Sequence, residues 1–227
     1  MAEERTRRSR DPAATRSAIL EASRALLARD GPDAVRLSAV AQLAGVNRGT
    51  AYQHFETREK LMEATTELVS DQMFRAVFGD PDTIGERRVN EVDIVDITER
   101  LAVFAMENPE LCRIWFLQVL SSIDPSRDRF WREYAGSIAR FAESDRARPG
   151  IDTEVWSVIS LAGYLLWPVW ARSHSPSAEE CGALTKRFTM EMLRLSMYGT
   201  LDPECFPQLR AQLDGPSRPV PKLRAAT

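Results

Sequence analysis

Apolar residues recur along this chain at three- and four-residue spacing almost from end to end, without one-for-one alternation over any segment bounded by turns. That periodicity predicts helices throughout and no sheet. A first helix is expected over residues 15–30, burying Ile19, Ala22, Leu26 and Leu27, with Gly31 in the left-handed position that ends it. Two short helices follow, over 38–44 and 48–55, separated by Gly45-Val46-Asn47, where glycine permits a sharp turn and Asn47 can cap the next helix. Two helices joined by so tight a turn are the grammar of a helix-turn-helix. Thr57 caps a fourth helix that runs to about Phe78, where Gly79-Asp80-Pro81-Asp82 breaks it.

Beyond the break, Ile94, Ile97, Leu101 and Phe104 mark a helix that Pro109 ends, and Leu111, Ile114 and Trp115 mark another. Asp124-Pro125 reads as a cap and first helical position, opening a helix with Phe130, Trp131, Tyr134, Ile138 and Phe141 on one side, closed by Arg148-Pro149-Gly150. Two long helices complete the body, over 153–172 and 178–198, the second announced by the capping box Ser177-x-x-Glu180. The domains expected are a flexible basic arm, 1–14, a helix-turn-helix head, 15–62, a helical body, 63–201, and a proline-rich tail, 202–227, that frays.

Charge changes the picture only when the chain is divided. The net charge of −3 over the whole is uninformative, but residues 1–60 hold 11 Lys and Arg against 8 Asp and Glu, and the rest hold 19 against 25. A basic head on an acidic body fits a nucleic-acid partner for the head. Three cysteines without Cys-x-x-Cys spacing and only two histidines leave no set of metal ligands, and no cofactor is called for. Neither Gly-x-Ser-x-Gly, a phosphate loop nor His-Glu-x-x-His is present, so an enzyme carries little weight. The charged N-terminus, with no apolar run before Ile19, does not read as a secretory signal, which points to the cytoplasm. The apolar stretch 155–171 is too short for a span and contains Ser157, Ser160, Gly163 and Pro168, so it reads as a buried helix.

The run Val40-Ala41-Gln42-Leu43-Ala44-Gly45-Val46-Asn47-Arg48-Gly49-Thr50-Ala51-Tyr52-Gln53-His54-Phe55, followed by Thr57-Arg58-Glu59-Lys60-Leu61, resembles the tetracycline-repressor family of regulators. On a helix at about 100° per residue, Ala51 and Phe55 share one face and Gly49, Thr50 and Gln53 the other. The first face packs, and the second is small and polar enough to enter a major groove. Gln53 suits adenine edges, Arg48 guanine or phosphate, and Thr50 phosphate or a thymine methyl. Tyr52, His54, Arg58 and Lys60 are placed for phosphates, and the resemblance implies backbone contacts by Thr50, Tyr52, His54 and Arg58. Arg36, Ser38 and Asn47 are further candidates for DNA contact, but Arg36 departs from the family's pattern, standing where Thr or Ser caps the second helix, so the cap either shifts to Ser38 or is missing. Arg5, Arg7, Arg8 and Arg10 either track the minor groove or raise non-specific affinity, and the weaker role is preferred.

The resemblance further implies an effector pocket in the body, with a hydrophobic or aromatic ligand. Phe104, Trp115, Phe116, Gln118, Trp131, Tyr134, Trp156, Tyr164 and Trp167 are its candidates, although aromatic residues at helical spacing are more often plain core. The last two helices are apolar on more than one face, with Ile159, Leu166 and Trp170 on one and Phe188, Met192 and Leu195 on the other. A homodimer, built as a four-helix interface, would cover them. The reading is therefore a dimeric, ligand-released repressor on a palindromic operator. Its alternatives are an activator, or a ligand-independent regulator controlled by a protein partner.

Overall fold

In a computed structural model, the structure describes residues 11–80, 93–174 and 178–214. Those residues form ten α-helices and no strand beyond one isolated bridge between Ala147 and Leu201. The fold is all-α, as the periodicity predicts. Two compact units divide the chain, Met1–Val69 and Ser70–Thr227, and the division falls inside a helix.

The first unit holds α1 (Pro12–Asp30), α2 (Leu37–Leu43), α3 (Arg48–His54) and the start of α4 (Arg58–Phe78). Helix α1 begins before Thr15 because Asp11 caps it, accepting from the Ala13 N–H at 3.0 Å, and Pro12 has no N–H to lose there. Gly31, at φ 80°, ends it. Ile19, Ala22, Leu26 and Leu27 are buried as expected, and α2 packs on both α1 and α3. The turn between α2 and α3 is a Schellman motif: Gly45, at φ 65°, donates to Gln42 O and Val46 donates to Ala41 O. Across this unit the buried Thr65 hydroxyl gives its proton to Leu61 O at 2.7 Å, so Ser23 Oγ donates the 2.7 Å bond that ties α1 to α4.

The second unit holds α5 (Ile94–Glu107), α6 (Pro109–Leu120), α7 (Arg129–Ala142), α8 (Thr153–His174), α9 (Ala178–Gly199) and α10 (Pro207–Asp214). Helix α8 is its axis, packed by α5, α6, α7 and α9. Those neighbours account for the apolar residues on its packed sides, while Val155, Ile159, Leu166 and Trp170 stay exposed. Among the described residues no helix is long and apolar enough to cross a membrane.

Two expectations are corrected here. Asp124-Pro125 opens only a 3-10 turn, Pro125–Arg127, and α7 starts at Arg129 with Asp128 as its cap. Asp128 wins because its carboxylate also serves long-range partners: Oδ1 accepts from Trp131 N at 2.9 Å and Ser70 Oγ at 2.8 Å, and Oδ2 from Trp115 Nε1 at 2.9 Å. The tail does not fray throughout, since residues 207–214 form α10. That helix buries Leu209 and Leu213 against Leu193, Met197 and Leu201. The basic arm with Arg5, Arg7, Arg8 and Arg10, the capping residue Ser177 and residues 215–227 lie outside the described residues.

Candidate nucleic-acid interface and effector cavity

Helix α3 is short, and its geometry is set at its N-terminus. Asn47 Oδ1 accepts from the Thr50 N–H at 2.7 Å and from the Thr50 hydroxyl at 2.9 Å. A Cβ at position 49 would sit 3.3 Å from that same oxygen, so any larger residue there would press on the cap and need Asn47 to give by a few tenths of an ångström. The inner face is Ala51, fully buried, and Phe55, which lies under the Arg16 guanidinium at 5.1 Å. Arg48, Gly49, Tyr52 and Gln53 are exposed, with Thr50 and His54 half-buried. Because Thr50 spends its proton on Asn47, it presents a lone pair and a methyl group outward, which suits a thymine methyl better than a phosphate. Val46, in the turn before α3, is half-buried.

Around α3 the expected phosphate ligands separate into two kinds. Lys60 is exposed, with its Nζ 2.9 Å from Glu63 Oε2 in a surface pair of small energetic weight. Arg36 is exposed at the N-terminus of α2 and makes no side-chain cap, and Ser38 lies one position inside that helix, so this helix start has no side-chain cap. Arg58 is different. Its Nε donates to Val35 O at 2.9 Å and its Nη2 to Pro32 O at 2.6 Å, which pins the connection between α1 and α2. Pro32 O also accepts from Val35 N at 3.2 Å, and the two carbonyls lie 26 and 23 residues from Arg58 in sequence, so nothing local signalled the contact.

The second unit contains a cavity of about 170 Å³ lined from α5, α7, α8 and α9, with Phe78 at the end of α4. Tyr134, Trp156 and Tyr164 line it, three of the nine residues expected to. Apolar lining comes from Ile94, Ile97, Leu101, Ile138, Phe141 and Met192, and polar lining from Thr98, Ser137, Ser160, Ser196 and Thr200. Burial pushes the Tyr164 phenol up to about 12, tempered by Thr98, and raises that of Tyr134 further, so both stay protonated at neutral pH. Sequence reasoning looked for aromatic residues and passed over the serines. The signal was present in α8, where Ser157, Ser160 and Gly163 interrupt an otherwise apolar run.

The other expected ligand residues lie elsewhere. Trp115 and Phe116 are core, the former edge-on to Phe130 at 5.4 Å. Gln118 is exposed, and Phe104 and Trp131 are half-buried away from the cavity. Trp167 stacks on Phe188 at 5.7 Å and lies 5.2 Å from Trp170, outside the cavity, and its buried Nε1 has no hydrogen-bond partner among the described residues. Of the expected dimer residues, Ile159, Leu166, Trp170 and Leu195 are 45–60 % exposed and Phe188 is half-buried. Met192 is corrected: it is buried and turned into the cavity, with its Sδ 3.5 Å from where a Cβ on Gly163 would lie.

A polar, exposed α3 held by a helix-turn-helix defines a DNA-binding transcription regulator. More particularly, residues 19–65 match the model of the bacterial regulatory proteins, tetR family. No curated protein sequence is significantly similar to the chain. Solved structures resemble it in fold. Tylp, a tetR regulator from Streptomyces fradiae, superposes with a TM-score of 0.61 at 18% identity, over 87% of this chain and 91% of that one. A Saccharomonospora viridis protein in complex with choline gives 0.57 at 14% identity, over 84% and 99% of the two chains. The SmeT–triclosan complex gives 0.58 at 20% identity, over 92% and 100%.

Proposed function

We propose that the protein is a repressor that binds a palindromic operator as a homodimer and is released by an apolar or aromatic effector seated in the cavity of the second unit. The observation that carries this reading is the presence of that cavity, apolar with a few hydroxyls, in a chain whose head reads DNA. Two structures of similar fold hold small molecules, choline and triclosan, which supports it further. Gln53 and Arg48 read base edges, Thr50 meets a thymine methyl, and Tyr52, His54 and Lys60 hold the backbone. Helix α4 leads from the head at Arg58 to the cavity at Phe78. An effector that favours one placement of α4 over another shifts the DNA-binding equilibrium by its difference in affinity for the two states.

Dimerisation is proposed through the outer faces of α8 and α9. Val155, Ile159, Leu166 and Trp170 on α8, and Leu195 on α9, are each between 45 and 60 % exposed. That is much apolar surface to leave in water, and a two-fold pairing covers it. A two-fold dimer reads half-sites roughly 34–36 Å apart. The test is footprinting on the DNA flanking the protein's own gene, which should give one protected palindrome. Ile159→Glu with Leu195→Glu should then yield a monomer by light scattering, with the footprint lost. An unprotected region, or a footprint that every apolar compound in a library leaves intact, would count against the reading.

A further inference from the structure

The hydroxyl protons on the Tyr134 side of the cavity are spoken for, and their directions say what a ligand must bring there. Ser160 Oγ donates to Trp156 O at 2.6 Å. A hydroxyl has a single proton, so the 2.8 Å bond between Ser160 and Tyr134 must have Tyr134 as donor and Ser160 as acceptor. Tyr134 Oη is left with lone pairs and no proton to offer. Ser137 donates to Tyr134 O at 2.8 Å and Thr200 to Ser196 O at 3.2 Å, so those hydroxyls also face outward as acceptors. Among the described residues no bond uses the proton of the Ser196 hydroxyl or of the Trp156 indole N–H, and no carbonyl fixes the direction of the pair formed by Tyr164 and Thr98, so these groups can serve an acceptor on the same ligand. The charged lining residues are Glu133 and Arg140, which are paired with each other. Neither is left over to neutralise a charged ligand, and an unpaired charge in such a site is costly.

We propose that the effector is an uncharged molecule with an apolar body and a hydroxyl group that donates a hydrogen bond to Tyr134 Oη; this rests on the reading of the cavity as the effector site. Lactones, ketones and ethers of the same shape can be served at Ser196, Trp156 or Tyr164, but they bring no proton to Tyr134 Oη. Carboxylates meet a cavity whose cation is already paired. An alcohol gains over its ether by one hydrogen bond to Tyr134 Oη, an oxygen already satisfied once by its bond to Ser160, so the discrimination is that of a single ordinary hydrogen bond.

Titration calorimetry on the full-length protein at neutral pH, with 2-naphthol, 2-methoxynaphthalene and 2-naphthoate as probes, tests this. 2-Naphthol should bind about tenfold more tightly than its methyl ether, although the ether is more apolar, and 2-naphthoate should bind weakest. In Tyr134→Phe the preference for the alcohol should fall to about twofold or less. In Ser160→Ala, which returns the Tyr134 proton to the cavity, the ether should gain on the alcohol. An ether that binds as well as 2-naphthol, or tightest binding by 2-naphthoate, overturns the proposal. If all three bind alike and Met192→Trp or Ser196→Trp abolishes binding, the cavity reading stands and the hydroxyl proposal falls. If binding survives both cavity-filling changes, the cavity reading falls with it, and failure of 2-naphthol to bind overturns the proposal as well.

Discussion

Replacing Arg58 by lysine separates a phosphate ligand from a structural clamp. The guanidinium reaches two carbonyls at once, Val35 O at 2.9 Å and Pro32 O at 2.6 Å, from a half-buried position. Lysine keeps the charge but cannot fork onto both. Hydrogen bonds from charged donors contribute about 1.5–3 kcal/mol each, and partial exposure brings the loss of one of them down to about 1–2 kcal/mol. That should be felt where the clamp acts, in the connection between α1 and α2. Hydrogen exchange on the full chain should show backbone amides of residues 35–41 exchanging about tenfold faster in Arg58→Lys, since 1.4 kcal/mol is a factor of ten. The salt dependence of operator binding should be unchanged, because each phosphate contact contributes a slope of about 0.9 in log affinity against log salt, and a clamp contributes none. Arg58→Met should reduce that slope by much less than one. Unchanged exchange together with a full unit lost from the slope would refute the clamp and restore the phosphate role.

Further outcomes follow from the packing. Ala51 is fully buried against the rest of the head, so Ala51→Leu should cost about 1–3 kcal/mol by overpacking and displace α3, with operator binding lost in a mobility-shift assay; retained affinity would contradict the seating described. Asp128→Ala removes the α7 cap and strands the buried Trp115 Nε1, which should lower stability by about 2–4 kcal/mol in urea denaturation, whereas Asp128→Asn should cost less; a change under about 0.5 kcal/mol would speak against the network. Burial pushes the Cys112 thiol up to about 12, so at pH 8 it has almost no thiolate and should resist iodoacetamide in the folded protein while exposed Cys205 is alkylated, as mass spectrometry would show; stoichiometric labelling of Cys112 would disprove its burial. The same shift makes the folded state hold its proton more tightly than the unfolded one. That contribution to stability is complete below the ordinary thiol range and is lost as pH rises towards about 12.

The head was legible because its determinants are local. Asn47 caps α3 across three residues, Gly45 turns the chain at φ 65°, and Ala51 and Phe55 share a face by helical geometry alone. None of these needs a distant neighbour. The start of α7 shows the opposite case. Asp124 and Asp128 are both adequate caps by sequence, and Ser70 and Trp115, which reach Asp128 from α4 and α6, fixed the choice.

In the second unit the sequence by itself determined that the helices exist, roughly where they end, and that α8 and α9 are apolar on several sides. Which of those sides meets a neighbour, a cavity or water was decided only by the tertiary structure. Met192 and Leu195 are close in sequence and both apolar, yet one is buried at the cavity and the other 60 % exposed. Periodicity ranks positions by angle around one helix. The arrival of α5 and α10 on particular flanks of α9 sets what each angle faces, and that depends on helices far away along the chain. For the same reason the polar side of the cavity, Tyr134 against Ser160, is a meeting of two helices that neither sequence stretch announces.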